Sequence, residues 1–451
     1  MTARSSAHAG PDWSGHTVRV RLGAPGHGGF CVARHEGRVL FVRHGLPGEL
    51  VLARVTEDRG SFCRAEAIDI LEPAPDRVRP NCPVSGPGGA GCCDFAFATP
   101  EAQRSLKAAV VTEQLRRLAH WDTEVTVEPL PLGSAAGPGG QRHPGSGAPD
   151  PDAGADAPET GWRTRLRLVV DAQGRAGVHR YRSSEVIPDL RCPQPVPGAV
   201  AGIAEQTWTP GAELVIAVDA DGLRHIVELA SPAVPPRRGG DRRATAARRA
   251  AAHARRAERV VSGSGRAVQY VAGRRWEVSA TGFWQPHRDA AQRYSDLVAE
   301  WADLDPGASA WDLYCGAGVF AARLAEQAGP SGPVLGVESA RSAVADGTAA
   351  LRDLPGVQLF ADRVERWIAA RDRRPRVVVL DPPRAGAGKQ VVTPLTAANP
   401  DRIVHIGCDP AAFARDVGLY HAAGYRVRTL RAFDAFPATH HVECLALLER
   451  G

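Results

Sequence analysis

The sequence predicts a chain of mixed α/β class, with a mostly parallel sheet near the C-terminus and a small β-barrel near the N-terminus. From residue 281 onward, apolar strands alternate with helical segments, which is typical of a parallel sheet covered by helices on both faces. Residues 13–73 instead contain short alternating strands separated by glycines, a pattern typical of small all-β barrels. The residues between these two regions are predicted to form a central α+β domain.

The composition limits the class of protein. At 451 residues the chain is long enough for two or three domains, and its net charge of +5 permits a nucleic-acid partner without requiring one. Nine cysteines, an odd number in a large chain without a secretory signal, argue against a disulfide framework. No apolar run is long enough to span a membrane, so we expect a cytoplasmic protein that does not bind membranes. We also expect a monomer.

The N-terminal region is predicted to be a short tail followed by the barrel. Residues 1–12 are predicted to be disordered, and residues 13–73 contain alternating segments such as VRVRL and RVLFV with a turn at Gly37. The run from Gly28 through RVLFVRHGLPGE resembles a TRAM domain. That resemblance implies an OB-like barrel that binds RNA.

Residues 74–280 are predicted to form the central domain, with two disordered insertions. Residues 131–160 are rich in Gly, Pro and Ala, and residues 235–258 carry arginine pairs in an alanine-rich stretch. The second insertion fits either a basic helix that contacts phosphates or a solvated loop. Between the insertions, RTRLRLVVDAQGRAGVHRYRSSEVIPD alternates like a pair of hairpin strands.

The C-terminal region, residues 281–451, has a glycine turn, DLYCGAG, directly after a strand, and Glu338 ends the next strand. Because Ala321 replaces the third glycine of the dinucleotide fingerprint, a nucleoside ligand such as S-adenosylmethionine is favoured over a dinucleotide. The segment VVLDPPRAG places Asp381 at a strand end, where two prolines fix the backbone. Arg384 stands where amino-directed methyltransferases commonly have an aromatic residue, which argues against that class.

The segment RIVHIGCDPAAFARDV places Cys408 between an apolar strand and a helix. Asp409 is a favourable N-cap, Pro410 suits the first helical position, and Gly424 can close the helix. A thiolate is stabilised beside the positive end of a helix dipole, but a small residue at a strand end is also a common core residue. The segment alone leaves both interpretations open.

Six motifs follow one another through this region: FWQPH (283–287), DLYCGAG (312–318), GVE (336–338), LDPPRAG (380–386), GCDPAAFARD (407–416) and DAFPATHHVE (434–443). Their order and spacing resemble the RNA uracil-5-methyltransferase family. The resemblance implies a Rossmann-like class I methyltransferase sheet, S-adenosylmethionine as cofactor and structured RNA as substrate. The barrel favours ribosomal RNA over transfer RNA.

The resemblance also implies roles for individual residues. Cys408 is expected to be the nucleophile that adds to C6 of uracil, and Glu443, on a strand suited to burial, the base that removes the C5 proton. Two alternatives stay open: a cytosine-5 RNA methyltransferase, and an RNA-binding scaffold without catalysis. Four residues are expected to line the S-adenosylmethionine site: Gln285, Tyr314, Glu338 and Asp381.

Many members of this family carry a four-cysteine iron–sulfur cluster, and this chain departs from their pattern. Cys82 and Cys93 fit the first and third ligand positions and Cys192 fits the fourth, but Ala90 occupies the second. Cys92 is adjacent to Cys93, and neighbouring residues seldom reach two corners of one cluster. Since four thiolates are normally needed, we expect no cluster and assign no metal ligand.

Overall fold

The computed structural model of the protein describes residues 12–130, 160–231, 256–371 and 374–451. Nearly all of the predicted tail and of both predicted insertions lie outside the described residues. The strands are, in chain order, β1 (Thr17–Arg21), β2 (Pro25–Gly26), β3 (Phe30–His35), β4 (Arg38–Arg43), β5 (Leu50–Asp58), β6 (Phe62–Glu72), β7 (Val127–Pro129), β8 (Arg165–Val170), β9 (Ala176–His179), β10 (Val186–Ile187), β11 (Glu213–Val218), β12 (Arg224–Leu229), β13 (Glu258–Ser262), β14 (Arg266–Val271), β15 (Arg274–Ser279), β16 (Ala310–Leu313), β17 (Val334–Glu338), β18 (Val357–Ala361), β19 (Val377–Leu380), β20 (Arg402–Gly407), β21 (Tyr425–Asp434) and β22 (Glu443–Arg450).

The helices are, in chain order, α1 (Pro100–Gln114), α2 (Ala290–Ala302), α3 (Val319–Ala328), α4 (Arg341–Ala350), α5 (Val364–Ala369), α6 (Gly388–Ala397) and α7 (Pro410–Ala422). A π-helical turn, Leu115–Ala119, extends α1. Within the described parts of the chain, none of these helices is long and apolar enough to cross a bilayer.

The chain divides into two compact units. Unit 1 consists of residues 1–130, 382–396 and 405–451, and unit 2 of residues 131–381 and 397–404. This division does not follow the domain boundaries predicted from sequence, after residues 73 and 280, and those boundaries stay predictions. Strand β20 begins in unit 2 and ends in unit 1.

The N-terminal part of unit 1 is a six-stranded sheet in the order β1-β5-β6-β4-β3-β2. Only β4 and β6 pair in parallel, and the alternating side chains of the strands enclose one apolar core that includes Leu40, Val42 and Val51. Gly37, at the turn between β3 and β4, has a φ of 80°, which a side chain would strain. The predicted β-rich barrel region is confirmed.

The C-terminal part of unit 1 contains β22, which pairs antiparallel with β21, and β21 pairs in parallel with β7. Helix α7 packs against the π-helical turn so closely that a Cβ on Gly418 would lie 2.9 Å from the carbonyl oxygen of Leu118. Strand β7 falls within residues 74–280, which were predicted to form the central domain, and its three residues are too few to show a period. It is identified as a strand only by its parallel pairing with β21.

Unit 2 contains an antiparallel sheet in the order β10-β9-β8-β11-β12-β13 and four parallel strands in the order β18-β17-β16-β19. The predicted hairpin is confirmed as β8 and β9, which pair antiparallel. The predicted alternation of apolar strands and helices is confirmed as well. Strands β16 and β19 are buried along their whole length, as expected for a parallel sheet covered on both faces.

A buried ion pair links α1 to the end of β21 within unit 1. The Lys107 Nζ donates to Asp434 Oδ1 at 2.5 Å and to the Phe436 carbonyl at 3.1 Å, and both charged side chains are almost fully buried. Removing one partner of such a pair leaves an uncompensated charge away from water.

We therefore expect Lys107→Met to destabilise unit 1 by about 3–5 kcal/mol, measured by urea unfolding. Arg116→Met, at the exposed Arg116–Glu113 pair after the same helix, serves as the control and leaves the unfolding midpoint unchanged. Equal midpoints for the two variants would contradict a structural role for the buried pair.

Candidate active site

Cys408 lies in the turn that joins β20 to α7, in unit 1, and is half-buried. Asp409 is the N-cap of α7, since its Oδ1 accepts a hydrogen bond of 2.9 Å from the amide of Ala412. Gly407 precedes the thiol, and a Cβ there would lie 2.9 Å from Cδ2 of Phe413. The predicted N-cap and helix are confirmed, and the thiol is adjacent to the N-terminal end of a helix of thirteen residues.

Glu443 is the first residue of β22 and its side chain is buried. The pKa of the neighbouring Cys444 thiol is raised, first by burial and then by the charges of Glu443, Cys408 and Asp409. All three groups therefore lie within electrostatic range of one buried thiol. The structure brings the predicted nucleophile and the predicted base into one region of unit 1, and Cys444 is a packing residue there.

A buried carboxylate that sequence analysis missed supports the segment before Glu443. Asp94 forms an ion pair with Arg43 of β4, and its Oδ2 lies 2.5 Å from Nδ1 of His440. The adjacent His441 contacts Arg384 at 3.2 Å, and burial lowers the pKa of His441 to about 3. No motif marks Asp94, because its partners are far away in sequence.

In unit 2, the glycine turn after β16 has an unusual backbone. Tyr314 has a φ of 61°, and Gly316 and Gly318 have φ values of 54° and 76°. Left-handed conformations at a non-glycine residue are uncommon and occur often at ligand sites. Asp312 Oδ2 accepts a 2.8 Å hydrogen bond from the amide of Ala321 and so fixes the start of α3 against the strand.

Carboxyl groups surround this turn. Gln285 Nε2 donates to Asp381 Oδ2 at 3.3 Å, and burial raises the pKa of Asp381 to about 7. The pKa of Asp312 is raised well above its usual value by burial, with further contributions from Asp381 and Glu338. Glu338 Oε1, at the end of β17, accepts a 2.7 Å hydrogen bond from the amide of Ala340.

This donor set fits S-adenosylmethionine. Carboxylates at the carboxyl ends of parallel strands accept hydrogen bonds from ribose hydroxyls and favour a positively charged ligand. Gln285, Glu338 and Asp381 all lie within unit 2, and Tyr314 belongs to the strained turn between them in the chain. Asp312 is the carboxylate of this group that sequence analysis did not single out.

Three cysteines of the altered metal motif, Cys82, Cys92 and Cys93, lie close together in unit 1. Cys92 Sγ and Cys93 Sγ are 3.9 Å apart, and the neighbouring thiols of Cys82 and Cys92 raise the pKa of Cys93 together with burial. Ala90, at the second ligand position of the family pattern, has no thiol, and the absence of a cluster stays a prediction. Among the residues that the structure describes, no group of three or more His, Cys, Asp or Glu side chains has the arrangement of a metal site.

Comparison with known families gives two matches. The family described as tRNA (Uracil-5-)-methyltransferase matches residues 362–451, which include Cys408 and Glu443. The TRAM domain matches residues 14–68, which form the N-terminal sheet of unit 1.

Relatives match nearly the whole chain. It is 42% identical over 446 residues to an uncharacterized RNA methyltransferase of Streptomyces avermitilis, covering 96% of this chain and 98% of that protein. It is 32% identical over 442 residues to the 23S rRNA (uracil(1939)-C(5))-methyltransferase RlmD of Alkalilimnicola ehrlichii, covering 94% of each. The crystal structure of Pyrococcus abyssi tRNA (uracil-54, C5)-methyltransferase in complex with S-adenosyl-L-homocysteine has the same fold, with a TM-score of 0.66, 18% identity and coverage of 96% of this chain and 100% of that one. The chain therefore belongs to the family of S-adenosylmethionine-dependent RNA (uracil-5-)-methyltransferases.

Proposed function

We propose that this enzyme methylates C5 of a uridine in structured RNA, ribosomal rather than transfer RNA, through a covalent bond between Cys408 and C6 of the base. The observation that carries the proposal is the position of Cys408 beside the N-terminus of α7, in the same unit as the buried Glu443. A helix N-terminus favours the thiolate over the thiol.

The chemistry explains why a thiol and a carboxylate are both needed. C5 of uracil is a poor nucleophile until the Cys408 thiolate adds to C6 and the C5–C6 π electrons move onto the C4 carbonyl oxygen as an enolate. The enolate electrons then form the bond from C5 to the methyl group, while the bond between methyl and sulfur breaks and its electron pair stays on the sulfur. Glu443 accepts the proton that C5 carries. The electrons of that C–H bond restore the C5–C6 double bond and expel the thiolate from C6.

S-adenosylmethionine, when bound, supplies the methyl group on a positively charged sulfur. We assign its binding to Gln285, Tyr314, Glu338 and Asp381 in unit 2. The hydrogen bond from Gln285 fixes the Asp381 carboxyl, and the amide of Ala340 orients Glu338. A cation beside Asp381 offsets the unfavourable desolvation of the charged form of that carboxyl group.

The barrel of unit 1 supports an RNA substrate. Its strands expose the guanidinium groups of Arg19, Arg34 and Arg54, and such groups pair with backbone phosphates. Ribosomal RNA is favoured because the relative from Alkalilimnicola ehrlichii, which matches barrel and catalytic segments together, is named for a uridine of 23S rRNA. A cytoplasmic location and a monomeric state are part of the same proposal.

The first prediction for the proposed function concerns the covalent bond. With 5-fluorouridine-substituted RNA and S-adenosylmethionine, the enzyme is expected to stop as an adduct, because fluorine at C5 cannot leave as a proton. Denaturing gel electrophoresis and mass spectrometry of the crosslinked peptide are expected to map the adduct to Cys408. Cys408→Ala abolishes the adduct, and Cys92→Ala, at an exposed cysteine, is the matched control and retains it.

Adduct formation by Cys408→Ala would refute the assignment of the nucleophile. An adduct with fluorocytidine RNA but not with fluorouridine RNA would indicate a cytosine-5 enzyme. RNA binding without any adduct would indicate a scaffold.

The second prediction separates the base from the nucleophile. Glu443→Gln is expected to retain addition and methyl transfer but to slow proton removal by about 10²–10⁴-fold. Ordinary uridine RNA then accumulates as a covalent complex whose mass includes the transferred methyl group. Release of product at the wild-type rate would show that another group takes the proton.

The third prediction follows from the pKa of Asp381, which burial raises to about 7. A carboxyl group with a raised pKa binds its proton more tightly in the folded state, so it opposes folding increasingly as pH rises towards that value. Asp381→Asn removes this effect. We expect it to stabilise the protein by about 2 kcal/mol at about pH 8, to do so less at about pH 5, and to lower methyl transfer at both.

Thermal unfolding at the two pH values tests this prediction. Asp362→Asn is the matched control, because hydrogen bonds from Arg366 lower the pKa of Asp362, so its neutral replacement brings no gain at high pH. A pH-independent effect of Asp381→Asn would contradict the argument.

A further inference from the structure

A histidine of the barrel contacts the residue next to the proposed nucleophile. His27 lies in the loop between β2 and β3, and its Nε2 is 3.0 Å from Oδ2 of Asp409, both within unit 1. About one third of the His27 side chain is exposed, as is a similar part of Asp409. The two residues are 382 positions apart in the chain, and no motif links them.

Asp409 is held from two sides. Its Oδ1 accepts the amide of Ala412, which begins α7, and its Oδ2 faces His27. Burial raises the pKa of Asp409, but the hydrogen bonds with His27 and with backbone amides outweigh burial, and the pKa is lowered. The carboxylate is therefore charged at neutral pH and fixed at both oxygens, and Cys408 is bonded directly to its backbone.

The same loop also reaches the segment that carries the base. A Cβ on Gly29 would lie 2.8 Å from the Cβ of Asp94, so the loop backbone packs directly on that buried residue. Asp94 in turn contacts His440, three residues before Glu443. Gly29 has a φ of 78°, a conformation that allows this approach and that a side chain would strain.

We propose that His27 is a positioning residue for methyl transfer: by holding Asp409 it fixes the turn that carries Cys408, so that the geometry of thiol attack depends on the TRAM barrel. The proposal rests on the proposed function of Cys408. It gives the barrel a second task beside RNA binding, since its β2–β3 loop supports the segments of both the nucleophile and the base.

The expected effect is on chemistry rather than on RNA affinity. A displacement of about 1 Å at a reacting group slows a reaction by about 10²-fold. His27→Ala is therefore expected to slow adduct formation by about 10- to 100-fold in single-turnover reactions with 5-fluorouridine RNA. The dissociation constant for RNA is expected to change by less than about threefold, because His27 is a single partly exposed side chain and the exposed arginines of the barrel are unchanged.

Conservative variants and a matched control make the test specific. His27→Gln, whose amide can still donate to Asp409, is expected to restore the rate to within about threefold of wild type. Asp409→Asn keeps an oxygen for the helix cap but loses the charge, and is expected to slow adduct formation like His27→Ala. His16→Ala, at an exposed histidine of the same barrel, is expected to behave as wild type.

A second readout does not depend on catalysis. The rate at which iodoacetamide alkylates Cys408 without RNA, followed by mass spectrometry of that peptide, is expected to change by about threefold or more in His27→Ala and not in His16→Ala. Thermal unfolding checks that each variant is folded.

The outcomes separate the two proposals. An unchanged adduct rate in His27→Ala, or a slower rate fully explained by weaker RNA binding, would overturn the positioning role. If wild type forms no adduct, the proposed function fails, and the alkylation rates still decide whether His27 positions Cys408. In that case, an unchanged alkylation rate in His27→Ala would overturn the positioning role of His27.

Discussion

The hydrogen bond from the amide of Ala412 to the Asp409 carboxylate determines where α7 begins, and the position of Cys408 follows from it. The residue before an N-cap lies outside the helix, so the thiol must lie in the turn, next to the N-terminal end of α7. Gly407 and Phe413 close the turn from the other side, since no side chain fits between them. Cys408 is therefore fixed on both sides, by the end of β20 before it and by the N-cap of α7 after it.

Buried carboxylates support each segment around this turn. Asp94 contacts the segment before Glu443, and Asp434 pairs with a lysine where β21 ends. Asp416 of α7 accepts hydrogen bonds of 2.7 and 2.9 Å from the amides of Ala387 and Gly388, at the start of α6. A buried carboxylate is stable only with hydrogen-bond or ion-pair partners. Each of these carboxylates therefore holds in place a segment that is not itself part of a helix or strand.

In the region of unit 2 that we propose binds the cofactor, the burial of carboxyl groups is not fully compensated by their partners. Burial raises the pKa values of Asp312 and Asp381, so their charged forms are unfavourable before a cation arrives. In the proposed site, a ligand with a positive sulfur would stabilise those charged forms and gain binding affinity from that difference. Stability without ligand is lower as a result, which is common at functional sites.

Much of this architecture is predictable from sequence because it depends on local chemistry. Hydrophobic periodicity predicts the strands of the parallel sheet and of the barrel, and the residue types of Asp409 and Pro410 predict the start of α7. The roles of Cys408 and Glu443 came from resemblance to a family, not from periodicity, and they stay proposals. Strand β7, three residues long, was missed because a pattern needs more residues than the strand has.

The sequence by itself determined the elements and the chemical groups that they carry, because periods, caps and turns involve residues a few positions apart. Only the tertiary structure decided which distant groups meet. His27 and Asp409, or Asp94 and His440, are separated by hundreds of residues, and neither pair follows a spacing that a helix or strand would impose. Such contacts depend on how the folded elements pack, which is why the support of the candidate site became visible only in three dimensions.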